Sequence, residues 1–124
     1  MSELTVLYVE DNEYNRKIVR QLLSRTSYRL IEAVDAESGV ELAREQLPDL
    51  ILMDVQLPRM SGLDATRSLK ADALTRHIPV IVITSYALSG DRERAIAAGA
   101  SGYLAKPYSP RELIALIHQF LVPP

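Results

Sequence analysis

Five short apolar, β-rich runs, each followed by an amphipathic segment, constrain this chain more than any other feature. The runs cover residues 4–9, 28–33, 50–53, 80–84 and 102–105. They are too short to stand alone as helices and read as strands, several of them buried on both faces. Between them the apolar period changes to that of a helix. Residues 14–24 put Ile18, Val19, Leu22 and Leu23 on one face, with Arg16, Lys17, Arg20 and Gln21 mostly elsewhere. Asp35 can cap a second helix running to about Gln46 and burying Val40, Leu42 and Ala43. A weaker third follows Gly62, with Leu63, Ala65 and Leu69 as its apolar positions. Ser89 or Gly90 opens a fourth, which Gly99 closes. The fifth begins at Ser109 and Pro110, with Leu113, Ile117, Phe120 and Leu121 along its stripe. Strand–helix alternation repeated five times predicts an α/β fold, a parallel sheet with helices on both faces joined by right-handed crossovers.

A chain of 124 residues has the size of one domain and buries enough surface for a core without staples. We therefore expect one domain over residues 1–124. The absence of cysteine excludes disulfides, thiolate catalysis and cysteine-ligated zinc. Fourteen Lys and Arg against sixteen Asp and Glu, with no sizeable basic run, argue against nucleic acid as a direct partner. The polar start lacks the basic and apolar regions of a signal peptide, and no apolar stretch reaches the ~18 residues that span a bilayer. A soluble, cytoplasmic protein with no membrane partner is the expectation.

In an open α/β sheet, ligands bind beyond the carboxyl ends of the strands. The first run ends in Glu10 and Asp11, the third in Asp54, the fourth in Thr84 and Ser85, and the fifth in Lys106 and Pro107. Three carboxylates, a hydroxyl and an ammonium thus converge on one rim. Any single Asp at a strand end is usually a turn former or helix cap, and the Glu10–Asp11 pair could simply favour the first helix dipole. Their coincidence on one rim points to chemistry. Clustered carboxylates invite a hard cation, and Mg²⁺ suits oxygen ligands and substrate phosphate, with Mn²⁺ as a substitute. An ionised Asp54 could then act as the nucleophile of an aspartyl-phosphate, with Lys106 stabilising the transferring charge and Thr84 donating to a phosphoryl oxygen.

At these residues the chain closely resembles the receiver domains of two-component response regulators. The matching segments are VEDN at 9–12, DLILMD at 49–54, QLPRMSG at 56–62, IT at 83–84 and GASGYLAKP at 99–107. The resemblance runs from Leu4 to about Leu121 and implies a doubly wound, flavodoxin-like (βα)5 fold with strand order 2-1-3-4-5. It implies that Asp54 is the phosphoacceptor, Asp11 the principal metal-ligating acid and Glu10 a second acid acting through water. It further implies that the backbone carbonyl of Gln56 is a metal ligand and that Lys106 pairs with the phosphoryl group. Pro107 would follow Lys106 in a cis peptide, Thr84 would be the switch hydroxyl and Tyr103 the switch aromatic. Donor and target follow in the same way. A sensor histidine kinase or histidine phosphotransfer protein supplies the phosphoryl group from a phosphohistidine, and a downstream protein reads the face of the fourth helix, fifth strand and fifth helix. That face includes parts of 88–98, Tyr103 and 108–118.

Gly62 and Pro58 are expected to shape the loop after Asp54, with a positive φ at Gly62. Ser85 and the bulky Tyr86 depart from the common pattern, and with Gln56 they are expected to tune water access to the phosphoryl group. His77 and His118 have no metal-site companions, and neither is expected to carry a phosphoryl group. We expect no enzymatic turnover beyond self-phosphorylation from small donors and slow autodephosphorylation. Aspartate-nucleophile phosphatases resembling the haloacid dehalogenase family place an acid two residues after the nucleophile, where this chain has Gln56. A nucleotide or flavin module would require glycine-rich loops that are missing here. A phosphate-independent adaptor is disfavoured by the complete set of acid, acceptor, hydroxyl and lysine. The receiver pattern fills the chain, leaving no output domain. The protein then works alone, as a monomer or weak dimer, or is one receiver of a hybrid histidine kinase.

Overall fold

The computed structural model describes residues 3–85 and 90–121. The strands are β1 (Thr5–Val9), β2 (Arg29–Ala33), β3 (Leu50–Asp54), β4 (Val80–Thr84) and β5 (Gly102–Ala105). They alternate with α1 (Glu13–Leu23), α2 (Ala36–Gln46), α3 (Gly62–Ala71), α4 (Asp91–Ala97) and α5 (Pro110–Phe120). All strand pairings are parallel and the sheet order is β2-β1-β3-β4-β5, as the resemblance implied. No helix among the described residues is long and apolar enough to cross a membrane.

Local chemistry sets the helix starts. Asn12, Asp35 and Ser61 each accept a backbone N–H three residues on, from Asn15 (3.0 Å), Ser38 (2.7 Å) and Asp64 (3.1 Å). Ser109 and Glu112 form a reciprocal capping box with Pro110 in the first turn of α5. The fourth helix has no side-chain cap; Gly90 precedes it at φ 98°, and Gly99 follows it at φ 100°, the left-handed stop that glycine allows. Ser89 and Tyr86 lie outside the described residues, as do residues 122–124.

The sheet is covered by two apolar layers of different character. On one face Val6, Tyr8, Leu50, Leu52, Ile81 and Ile83 pack against α1 and α5 through Val19, Leu23, Leu113 and Ile117. On the other, Leu7, Val9, Ile51, Met53, Val80 and Val82 pack against α2, α3 and α4 through Ala36, Ala43, Ala65, Leu69 and Ala95. Strand alternation assigns these sets without exception.

Three expectations from periodicity change. Arg16 lies on the buried side of α1, whereas Ile18 is 38% exposed. The reason is electrostatic, because the guanidinium finds acceptors under the helix. On α2 the fully buried positions are Ala36, Gly39 and Ala43, while Val40 and Leu42 are only partly covered. Small residues let α2 approach β1 so closely that a Cβ on Gly39 would lie 2.7 Å from a Val9 methyl. Gly62 does not take a positive φ; the left-handed residue of that loop is Arg59, at φ 67°. Glycine is required at 62 because a Cβ there would stand 1.9 Å from the Asp54 carbonyl oxygen.

Candidate active site

Alternation along the strands also sorts the candidate residues. Asp54 ends β3 in the stripe of Leu50 and Leu52, and Glu10 and Lys106 continue the stripes of Tyr8 and Leu104, all on the α1/α5 face. The ladder runs on past the strand ends, with Glu10 N–H donating to Ala33 O (3.0 Å) and Lys106 N–H to Thr84 O (2.7 Å). Thr84 belongs instead to the stripe of Val80 and Val82, on the α2/α3/α4 face. Tyr103, paired in register with Val82, stands half-buried on that same face.

The charged group is compact. Lys106 Nζ lies 2.7 Å from Asp54 Oδ2 and 3.0 Å from Glu10 Oε1, with Asp54 2% and Glu10 1% exposed. One ammonium therefore serves two buried carboxylates. Glu10 wins the competition because it has more donors. Its carboxylate also accepts from the Tyr8 hydroxyl (3.2 Å), Asn15 Nδ2 (3.2 Å) and Asn12 N–H (3.3 Å). Burial works against its charge, but sharing with Asp54 and the pull of Lys106 outweigh that and hold Glu10 down to about 2. Asp54 takes the other side of the bargain. Burial first, then Glu10, push it up to about 7 despite Lys106. Burial opposes the Lys106 charge, yet its two carboxylates raise it above the ordinary lysine value.

Asp11 is exposed beside Glu10, and partial burial together with its neighbour raise it. Among the described residues no three His, Cys, Asp or Glu side chains are gathered as a metal cage. The three acids expected to converge are thus divided, two around Lys106 and one at the solvent edge. The donor set still suits a hard cation: burial first, and then the Glu10 charge, raise two of the three carboxylates, and a divalent ion would favour their charged forms. Asp11, Asp54 and the Gln56 carbonyl are the residues that could hold it, with Glu10 behind them.

The loop after β3 is bound back onto the sheet. Val55 N–H donates to Ile83 O (2.9 Å), and Gly62 N–H donates to Val55 O (3.1 Å). Gln56 N–H donates to Asp54 Oδ1 (2.9 Å), its Nε2 donates to Thr84 Oγ1 (3.2 Å), and its Oε1 accepts Ser85 N–H (3.2 Å). Pro58 is exposed and supports the loop from outside, its carbonyl accepting Met60 N–H (2.8 Å). The Lys106–Pro107 peptide is cis, as the resemblance implied. Beside the charged group a groove of about 490 Å³ is lined by Asn15, Ile18, Ser85, Lys106, Pro107 and Tyr108. His118 is exposed on α5, where it bonds the Tyr28 hydroxyl far from this site.

Sequence reasoning missed three contributors. Tyr8 was hidden as one more member of an apolar strand, although its hydroxyl reaches Glu10. Asn15 and Arg16 read as helix surface, yet Arg16 Nη1 donates to the Glu10 carbonyl (2.8 Å), and its guanidinium pairs with Glu13 and Glu32. Gln56 is expected at the site for its carbonyl and for water access, and the structure adds the two bonds of its side-chain amide to Thr84 and Ser85.

A family model for the response regulator receiver domain matches residues 6–118. The chain belongs to the receiver domain family. The polar-differentiation response regulator DivK of Brucella anthropi is 45% identical over 94% of this chain and 95% of that protein. Among solved structures, the receiver domain of a Pseudomonas aeruginosa sensor histidine kinase is 37% identical, with a TM-score of 0.88 over 96% of this chain and 98% of that one. That structure carries a magnesium ion coordinated in its active-site cleft. A response regulator from Chloroflexus aurantiacus matches with a TM-score of 0.91 at 26% identity, over 98% of this chain and all of that one. Both the doubly wound fold and the family expectation hold.

Proposed function

We propose that this receiver domain is a phosphorelay switch that takes a phosphoryl group onto Asp54 from a phosphohistidine of a sensor histidine kinase or histidine phosphotransfer protein. The observation that carries this reading is the Asp54 carboxylate, 2% exposed at the end of β3, held 2.7 Å from Lys106 Nζ. A buried carboxylate with an ammonium on one oxygen is a positioned nucleophile with charge stabilisation already in place.

In the transfer, an Asp54 oxygen forms the new P–O bond as the donor's P–N bond breaks, and the imidazole leaves with that bond's electron pair. Lys106 is near enough to turn from the carboxylate to the phosphoryl oxygens, and Glu10 fixes its other side. Bound Mg²⁺, or Mn²⁺ in its place, would neutralise charge on the acids and the phosphoryl group; Asp11, Asp54 and the Gln56 carbonyl would hold it, with Glu10 acting through water. The groove lined by Asn15, Ile18 and Tyr108 leaves Lys106 approachable by a donor. The Thr84 hydroxyl then responds to the phosphoryl group, Tyr103 follows on the same face, and a downstream protein reads α4, β5 and α5. Enzymatic turnover is not part of the reading, because Gln56 stands where a phosphatase would need an acid.

Intact mass after incubation with a small acyl phosphate tests it. The expected outcome is a Mg²⁺-dependent gain of one phosphoryl group by the parent and none by a folded Asp54→Asn variant. Equal gain by that variant would remove Asp54 as the acceptor.

A further inference from the structure

The charged group and the switch pair end stripes on opposite faces of the sheet, and one side chain at the rim joins them in the resting protein. Gln56 reaches both. Its backbone N–H bonds Asp54 Oδ1, while its side-chain amide donates to Thr84 Oγ1 and accepts Ser85 N–H. We infer that the Gln56 side chain is a latch, a positioning residue that holds the Thr84 hydroxyl and the start of the segment after β4 in the resting arrangement. This rests on phosphoryl acceptance at Asp54 and adds what the switch must break to fire.

The geometry makes the amide a suitable clamp. Donor and acceptor of one planar group engage the hydroxyl and the next backbone N–H together, so the two are tied to one rigid unit. Its anchor is fixed as well, because Val55 N–H donates to Ile83 O (2.9 Å) and continues the β3–β4 pairing up to Gln56. Gln56 therefore moves with the sheet, while Ser85, just past the end of β4, is exposed. Phosphoryl oxygens on Asp54 offer the Thr84 O–H a charged acceptor, a bond about twice as strong as the neutral one its oxygen accepts from Gln56, and moving toward it draws Oγ1 off the amide. The switch fires when that competition is won. The same amide thus sets how far the resting equilibrium lies from the switched one.

Amide spectra of the whole chain test the latch in the parent and in Gln56→Met, which keeps length but loses both amide bonds. Gln56→Asn, too short to reach Thr84, serves if the Met variant folds poorly. Without a phosphoryl donor, the Ser85 and Tyr103 amides of the variant are expected to move part-way toward their positions in the phosphorylated parent. The shift should correspond to an about two- to tenfold larger switched population. In a Thr84→Ala background the same substitution should leave Tyr103 nearly still, since the latched hydroxyl is gone. A purely structural Gln56 would disturb Ser85 alone, or would move Tyr103 equally in both backgrounds; either result overturns the latch. Mass measurement separates the two levels. A parent that gains no phosphoryl group overturns the proposed function and the latch with it, whereas unmoved Tyr103 amides in a phosphorylatable variant overturn the latch alone.

Discussion

The two faces of the sheet end differently at the same rim. On the α1/α5 face the apolar stripes run out into Glu10, Asp54 and Lys106, a buried group with one ammonium for two carboxylates. On the α2/α3/α4 face they run out into Thr84, a neutral hydroxyl, with Tyr103 two register pairs behind it. Charged groups out of water must be held by many bonds, so the first face is braced by Tyr8, Asn15, Arg16 and Lys106. A hydroxyl and a half-buried ring can change partner at small cost. In the proposed function the braced face carries the chemistry and the movable one the readout.

The largest effect is expected where the faces are joined. Gly62 opens α3 on the α2/α3/α4 face, yet it lies against the carbonyl of Asp54 on the other. In Gly62→Ala the added methyl would overlap backbone that cannot step aside, and we expect a loss of about 2–4 kcal/mol in urea unfolding. A loss below about 0.5 kcal/mol would mean that the two halves of the rim are not mechanically joined there.

Next in size is a pH dependence in which Asp54 and Glu10 have the leading part. Asp54 has its folded value raised from 3.8 to about 7, so the folded state holds that proton more tightly than the unfolded chain does. Its contribution is fully present below pH about 4 and is lost as pH rises through 7. Glu10, held down to about 2, contributes in the opposite sense, and its share is lost only as pH falls from about 4.5 toward 2. The stability of the metal-free protein should therefore fall by roughly 1–3 kcal/mol between pH 4 and 8, and Asp54→Asn should flatten that slope. Thermal unfolding in the presence of a chelator measures both. An equal slope in the two proteins would place the strain elsewhere.

The smallest effect sharpens the bracing argument. Tyr8→Phe removes one donor from Glu10 while three others remain, so a stability loss of about 1 kcal/mol is expected. Phosphoryl acceptance should slow without being abolished. A neutral outcome in both measurements would show that the Tyr8 hydroxyl is only accommodated.

Much of this was legible beforehand for a simple reason. A strand buried on both faces must be apolar throughout, so β3 and β4 stand out as LILM and VIVI, and residues at their ends are visible as the first polar interruption. Asp35 and Ser109 also betrayed their helices, because capping is a contact over three residues. Arg16 defeated the periodic reading, since a guanidinium can be buried where acceptors surround it, and those acceptors are the Glu10 carbonyl just past β1, Glu32 on β2 and Glu13 on its own helix.

The sequence by itself determined the strand–helix alternation, the family, and the identity of the acids, hydroxyl and lysine at the strand ends. These depend on local periodicity and on short motifs. Only the tertiary structure decided that Lys106 sits between Glu10 and Asp54, leaving Asp11 outside. It likewise decided that Gly62 is needed for space instead of for backbone freedom, and that Gln56 spans the two faces. The first and last are distances between residues on different strands, fixed by how β1, β3, β4 and β5 lie side by side, and the Gly62 contact is fixed by how the loop after β3 folds back onto its end.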